Sequence, residues 1–311
     1  MSVALHYAAL CAPLFLIVAL GWGLAQWRHW PKAVNKHLAN AVFTVALPAL
    51  LFRMMSELSQ LPPVDWRVLI AFFGSCLIVF VVGRLVAWRG FGMDGVSQSV
   101  FALAGIFSNN ALLGIPLARI TLGEAALPTV ALVLVFNSLT LWTLVTVSVE
   151  WARHGSPTLR GFGQTLLSVL KNPLIIAILS GTAIGVSGWT LPEGVRLPLA
   201  WVGELAAPLA LLSLGLSLAG YRMREQWQAT LSMTALKLLL QPLVVWLIAR
   251  ALDLPEMETR TVVLLGSIAI GANVYLMSRH FKVLEGPVAS SLVLSTALSS
   301  LTTPLILAFT R

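Results

Sequence analysis

The sequence predicts an all-α membrane protein: ten transmembrane helices in a five-plus-five inverted repeat, with broken helices 4 and 9 crossing. Three observations carry that expectation. Hydrophobic residues make up 58% of the 311 and charged residues 10%, whereas soluble domains carry roughly 25% charged residues. The apolar residues gather into runs close to the roughly 20 residues that a bilayer core requires. Prolines recur in one register between the two halves of the chain.

The runs fall at 5–27, 36–56, 66–88, 96–121 and 125–151 in the first half, and at 167–188, 197–219, 227–251, 259–280 and 287–309 in the second. A core built from this chain cannot hide so large an apolar excess from water, so lipid is the expected solvent. Joining segments are short. The longest, Arg153–Thr165, is too small for a domain and divides the chain into repeats 1–155 and 165–311. Cys11 and Cys76 lie inside apolar runs and read as small buried hydrophobes. No Cys/His spacing suits zinc, and no cofactor motif occurs. The N-terminus lacks a basic n-region and a small-residue cleavage site, so the first run reads as a retained span.

The formal charge of +8 would suggest nucleic acid in a soluble protein. Here Lys and Arg sit between apolar runs, the pattern of loops beside anionic lipid. Alternate loops hold twelve basic residues, Lys36, Arg89, Arg153 and Lys282 among them, against seven on the other side, including Arg196, Arg250 and Arg311. The richer side is expected in the cytoplasm, which places both termini outside the cell's inner membrane. Arg53, Arg84 and Arg119 read as interfacial anchors, and Trp22, Trp27, Trp30, Trp66, Trp88, Trp151 and Trp227 as an aromatic belt.

The halves match at an offset near 160 residues. Pro13-Leu14 and Gly21 answer to Pro173-Leu174 and Gly181; Pro48 answers to Pro208; Trp66 to Trp227; Pro128 to Pro287. Five spans per half make the second half enter the membrane from the opposite side, an architecture of secondary transporters.

Two corresponding spans are interrupted. Residues 107–117 of span 4 read F-S-N-N-A-L-L-G-I-P-L, and 268–276 of span 9 read I-A-I-G-A-N-V-Y-L. Asparagine and a Gly/Pro break are tolerated at membrane depth where unwound backbone lines a protein cavity. Paired breaks are the best sequence pointer to a binding site near the midplane. The competing reading makes these residues helix-packing contacts. On the site reading, Asn109, Asn110, Gly114, Pro116, Gly271 and Asn273 surround two half-helix N-termini, whose partial positive charge and free N–H groups suit a carboxylate. Lys237 and Glu204 lie inside spans 8 and 7. An intramembrane ionisable residue needs a partner or a wet cavity. They read as coupling residues, with Lys237 also near the substrate, or as a structural ion pair.

S-N-N-A-L-L-G-I-P-L at 108–117, P-L-A-L-L-S-L-G at 208–215, L-K-L-L-L-Q-P-L-V-V-W at 236–246 and A-N-V-Y-L-M-S-R-H-F at 272–281 together resemble the auxin efflux carrier family, closest to its bacterial malonate or malate permeases. The resemblance covers essentially the whole chain. It implies a ten-helix inverted repeat similar to bile-acid symporters and sodium–proton antiporters, with a panel domain and a core domain. It also implies that Asn109, Asn110, Gly114, Pro116 and Asn273 mark the crossover. Family members often carry proline just before the second break, where this chain has Ile270-Gly271.

The expected function is secondary transport of a small organic anion, a mono- or dicarboxylate, by alternating access and coupled to protons. The alternatives are a sodium-coupled symporter of the bile-acid type and a membrane sensor without flux. An enzyme is not expected: Asp65, Asp94 and Asp253 are isolated, and no H-E-x-x-H occurs. The bilayer is the expected surrounding; the oligomeric state stays open between monomer and homodimer. The basic asymmetry makes the orientation testable. Reporter fusions should give a cytoplasmic signal at Gly155 and an extracytoplasmic one at Arg311; a cytoplasmic signal at Arg311 overturns the orientation.

Overall fold

Backbone groups that meet no water must bond within their own segment, and each apolar run of the sequence accordingly contains helix. The computed structural model describes residues 3–27, 32–57, 65–154, 171, 173–220 and 226–310. In chain order the helices are α1 (Val3–Gln26), α2 (Lys32–Ala41), α3 (Leu47–Ser56), α4 (Arg67–Phe91), α5 (Gly95–Ala104), α6 (Ile115–Leu122), α7 (Leu127–His154), α8 (Pro173–Ser187), α9 (Glu193–Leu218), α10 (Trp227–Ala235), α11 (Gln241–Ala251), α12 (Glu256–Ser267), α13 (Asn273–Phe281) and α14 (Glu285–Phe309). Among the described residues there is no strand, only one isolated bridge.

Six helical stretches are long and apolar enough to cross a bilayer: Leu5–Gln26, Arg67–Phe91, Glu124–Arg153, Glu193–Leu218, Trp227–Ala251 and Glu285–Phe309. They coincide with the expected spans 1, 3, 5, 7, 8 and 10. The other four expected runs are helical without being uninterrupted apolar rods. The run 36–56 begins in the amphipathic α2 and continues through a π turn into α3. The runs 96–121 and 259–280 are broken in their middles. Of 167–188, the described helix is α8, 15 residues long. Most of the segment joining the two halves lies outside the described residues, and so do Trp30 of the expected belt, Arg28, Arg160, Arg222 and Arg224 of the twelve basic residues expected on the cytoplasmic side, and Arg311 of the other side.

Prolines explain three local departures from α geometry. Proline has no N–H, and its ring collides with the carbonyl four residues back. A π turn, bonding to the fifth residue back, accommodates this. Val42–Ala46 precedes Leu47-Pro48, Asn110–Gly114 precedes Ile115-Pro116, and Leu236–Leu240 precedes Gln241-Pro242. In each case the residue before proline donates its N–H five residues back, to Val42, Asn110 and Leu236 respectively. Thr44, Asn110 and Lys237 each sit inside one of these turns.

The helices pack in two groups. α1 lies on α9, and α3 lies on α8 and α9; α4 packs with α5, α11 and α12, α5 with α7, and α14 with α10 and α12. α14 also meets α1. Close backbone approach at glycine joins the first group. A Cβ on Gly21 would lie 2.4 Å from the Leu212 carbonyl oxygen, and one on Gly181 would lie 2.6 Å from that of Phe52. Trp22, Trp27, Trp66, Trp88, Trp151 and Trp227 are all exposed at or near helix ends. Arg84 departs from its expected place as an anchor. Its guanidinium turns into the bundle, where Ser148 and the Gln98 amide oxygen accept from it and tie α4 to α5 and α7. Asp94 caps α5, accepting from the Val96 and Ser97 N–H groups. These bonds, that from the Ser97 N–H foremost, hold its carboxyl below the usual carboxylate range.

The α1–α9 contact yields a stability test. A Cβ on Gly215 would meet the Val18 carbonyl oxygen at 2.0 Å, whereas one on Gly23 meets nothing within 4 Å. Gly215→Ala should lower the melting temperature in detergent, reflecting overpacking of about 1–3 kcal/mol. Gly23→Ala should leave it nearly unchanged. Equal melting curves for the two variants would contradict the packing described.

Candidate functional site

α5 ends at Ala104 and helix resumes at Asn110; α12 ends at Ser267 and helix resumes at Asn273. The two gaps lie antiparallel. The Asn109 N–H donates to the Ala269 carbonyl at 2.9 Å, the Gly271 N–H donates to the Phe107 carbonyl at 2.8 Å, and Ser108 pairs with Ile270 between them. The Ile270 N–H donates to Ser295 Oγ of α14 at 3.1 Å. Each gap thus supplies partners for peptide groups that the other has freed, which is what unwound backbone needs away from water. Gly271 is required here for space. A Cβ would stand 3.0 Å from the Ser108 carbonyl oxygen and 3.1 Å from the Phe107 ring.

A cavity of about 350 Å³ opens beside this pairing. Its polar lining comes from Ser108, Asn109 and Asn110 at the first gap, Asn273 at the second, Thr44 in the π turn before α3, and Asn137 on α7. Phe43, Phe107, Leu134 and Leu174 supply apolar wall. Ser108, Asn109 and Asn110 are buried, and Ser108 Oγ, Asn109 Nδ2 and Asn110 Oδ1 find no hydrogen-bond partner. Asn110 Nδ2 donates to Asn137 Oδ1 in a long bond of 3.5 Å. Three unpartnered polar atoms on consecutive residues are unusual, since buried polar groups are nearly always satisfied. The N-terminal ends of Asn110–Leu122 and of α13 also carry partial positive charge; in α13 the Val274 and Tyr275 N–H groups already bond the Gly271 and Ala272 carbonyls. The arrangement can hold a small polar, negatively charged group. No charged side chain lines the cavity.

A larger void of about 640 Å³ lies between α1, α9 and α14. Ala8, Phe15, Trp22 and Leu301 line it, and the hydroxyls of its Thr296 and Ser300 are spent on the Leu292 and Ala297 carbonyls. It offers nothing to bind a polar group.

Span 8 reaches the far ends of both broken helices. Lys237, fully buried, donates to the Gly266 carbonyl in the last turn of α12. Gln241, one turn on, donates to the Ile106 carbonyl just past α5 at 3.1 Å and reaches Cys76 Sγ at 3.5 Å. Helix C-termini leave carbonyls unpaired and carry partial negative charge. An ammonium and an amide are suited to answer them.

The residues singled out from sequence are therefore divided. Asn109, Asn110, Gly271 and Asn273 meet at the cavity. Gly114 and Pro116 do not line it. Gly114 lets span 4 approach span 9, where a Cβ would stand 3.0 Å from Leu265, and Pro116 follows the π turn. Lys237 lies behind the gaps. Glu204 is exposed on α9, and among the described residues it forms no ion pair with Lys237. Lys237, buried, bonds the carbonyl end of α12 instead. Asn137 and Gln241 were missed. Asn137 is an amide within an apolar span, and Gln241 stands four residues after Lys237; both signals were legible.

The model of the membrane transport protein family matches residues 7–307. The chain belongs to that family, the family of the auxin efflux carriers. A relative from Rhizobium meliloti (strain 1021), named "Putative malonate transporter", is 24% identical over 298 residues, covering 93% of this chain and 91% of its own. This member of the membrane transport protein family is thus a multi-pass membrane transporter and not an enzyme.

Gly271 gives a direct check on the paired gaps. Gly271→Val should insert in the membrane but lose about 1–3 kcal/mol of stability in detergent, with loss of transport activity. Gly74→Ala, whose Cβ would touch only Ile248 at 3.7 Å, should be near neutral. Wild-type stability and activity in Gly271→Val would mean that the gaps do not need this close approach.

Proposed function

We propose that the protein is a secondary active transporter that moves a small carboxylate across the cell's inner membrane by alternating access, driven by a proton gradient. The observation that carries this reading is the cavity at the paired gaps, where buried Ser108, Asn109 and Asn110 present unpartnered polar atoms beside two helix N-termini. The malonate in the relative's name is a substrate of that chemical class.

Alternating access calls for two symmetry-related states, and an inverted repeat provides them. Two symmetric contacts support the repeat of 1–155 and 165–311. Gly21 presses on Leu212, and Gly181 on Phe52; both members of each contact are shifted by 160 positions. At the gaps, Phe107 accepts from Gly271 and Ala269 accepts from Asn109, a reciprocal pairing about Ser108 and Ile270. On this reading the ten expected spans stand, with helices 4 and 9 crossing. The group of α1, α3, α8 and α9 is the panel against which the rest moves.

Lys237 supplies fixed positive charge behind the crossing. Its ammonium already bonds the Gly266 carbonyl, a place where a sodium ion would otherwise find backbone oxygen, which favours protons over sodium as the coupling ion. Glu204 is a coupling residue if the moving helices occlude its carboxylate during the cycle.

Counterflow in proteoliposomes tests the reading. Purified protein preloaded with malonate should accumulate labelled malonate transiently; absence of counterflow with any small carboxylate overturns it. Asn110→Leu and Asn273→Leu should insert normally yet abolish uptake, and normal uptake by either would make that asparagine a packing residue. Lys237→Gln should lose or uncouple transport. Glu204→Gln should lose pH-gradient-driven accumulation while keeping exchange if the carboxylate couples, and accumulation that persists removes Glu204 from the coupling step.

A further inference from the structure

We infer that the void between α1, α9 and α14 is a binding slot for one acyl chain of a bilayer phospholipid, held at the seam between the two groups of helices. Occupancy of the slot is independent of the transport reading above.

The first argument is the chemistry of the lining. Its walls are apolar apart from Thr296 and Ser300, whose hydroxyls bond the Leu292 and Ala297 carbonyls. No lining side chain is titratable. Water needs about two to four polar partners to settle in a cavity, and this lining does not offer them. A void of about 640 Å³ left empty would cost its walls the dispersion contacts of a packed interior.

The second argument is where the void opens. Val18, Leu218 and Thr296 are buried and form its floor, while Leu16 on α1 and Leu301 on α14 stand exposed along its rim. Both rims lie well inside stretches long and apolar enough to cross a bilayer, so hydrocarbon meets them. A phospholipid chain enters sideways without leaving the membrane.

Size selects a single chain. The lining on α1 runs from Ala8 to Trp22, about 21 Å at 1.5 Å per residue. That exceeds the roughly 15 Å half-thickness of a bilayer core. An extended acyl chain, about 5 Å across by carbon contact distances, fills roughly 400 Å³ over that length. A helix of the same length, about 10 Å across, takes roughly 1,600 Å³, so a second copy of this protein can lay only side chains into the groove. Trp22, exposed near the end of α1, marks the headgroup level, with the chain running from there toward Ala8.

The slot also lies where the two groups meet. α1 and α9 touch backbone to backbone, at Val18 and Gly215, whereas α14 belongs to the other group and meets α1. Phe15 and Ala297 of this lining stand 160 positions from Ile175 and Asn137 of the polar cavity. The offset that relates the halves therefore relates the two voids, one carrying alanine where the other carries an amide. A shift of α14 along α1 reshapes the slot, so a bound chain resists it.

Photolabelling in vesicles tests this. The full chain is reconstituted in palmitoyl-oleoyl phosphatidylcholine doped with a phosphatidylcholine bearing a diazirine midway along one acyl chain, and adducts are mapped by mass spectrometry. They should be several-fold denser on the groove peptides of α1 and α14 than on the exposed face of α4 at Leu77, Ile78 and Val81. Ala12→Phe with Ala297→Phe, both at exposed positions of the lining, fills the slot. Groove labelling should then fall roughly fivefold, while α4 labelling, which reports insertion, holds; either single substitution should act in the same direction. Phosphatidylcholine added back to delipidated protein should raise the melting temperature of the wild type by more than that of the filled variant. Wild-type labelling no denser in the groove than on α4 overturns the inference, as does labelling below that of α4, the mark of a second copy seated there. Equal gains in melting temperature overturn it too. None of these readouts requires transport, so a failure of malonate counterflow leaves the slot standing.

Discussion

The pairing of two unwound segments by their own peptide groups is the constraint on which the rest depends. Two unwound segments, 105–109 and 268–272, would be costly in a membrane interior, since each unsatisfied peptide group costs several kcal/mol there. The reciprocal bonds of Asn109 with Ala269 and of Gly271 with Phe107 turn two liabilities into one antiparallel bridge. Everything near it serves to keep that bridge in place. Gly271 allows the backbones to touch, Ser295 takes the Ile270 N–H, and Gly114 brings the resumed helix against Leu265.

Opposite ends of the broken helices then face opposite demands. Their N-terminal ends border the cavity and attract negative charge; their C-terminal ends need donors. Lys237 and Gln241 meet the second demand from one turn of one helix, which explains why a lysine is tolerated so deep in the bundle. The cavity meets the first by remaining neutral and polar. Lys237 and Gln241 sit behind the gaps, and the asparagine amides in front of them.

Proline and π geometry connect this chemistry to the helices that carry it. Pro48, Pro116 and Pro242 each follow a π turn, and those turns hold Thr44, Asn110 and Lys237. A π turn widens the helix locally and leaves carbonyls less well bonded. Such a place is suited to present a polar side chain and to bend when helices shift. Two of the three turns border the cavity, and the third grips its reverse side.

Composition and periodicity by themselves determined the membrane solvent, the positions of the helices and the two interruptions, because apolar length and the scarcity of Asn, Gly and Pro in lipid are properties of the chain read in order. Asn109, Asn110, Gly271 and Asn273 were legible for that reason. Tertiary structure alone decided which polar atoms are left without partners, since a hydrogen bond depends on what another segment brings within 3.5 Å. It separated Glu204, exposed on α9, from Lys237, and gave the lysine a carbonyl in place of the carboxylate that its need of a partner within a span had suggested. It joined Asn137 to Asn110 across 27 positions of sequence and Gln241 to Ile106 across 135. No local pattern encodes these contacts, because they arise where two breaks on distant helices meet.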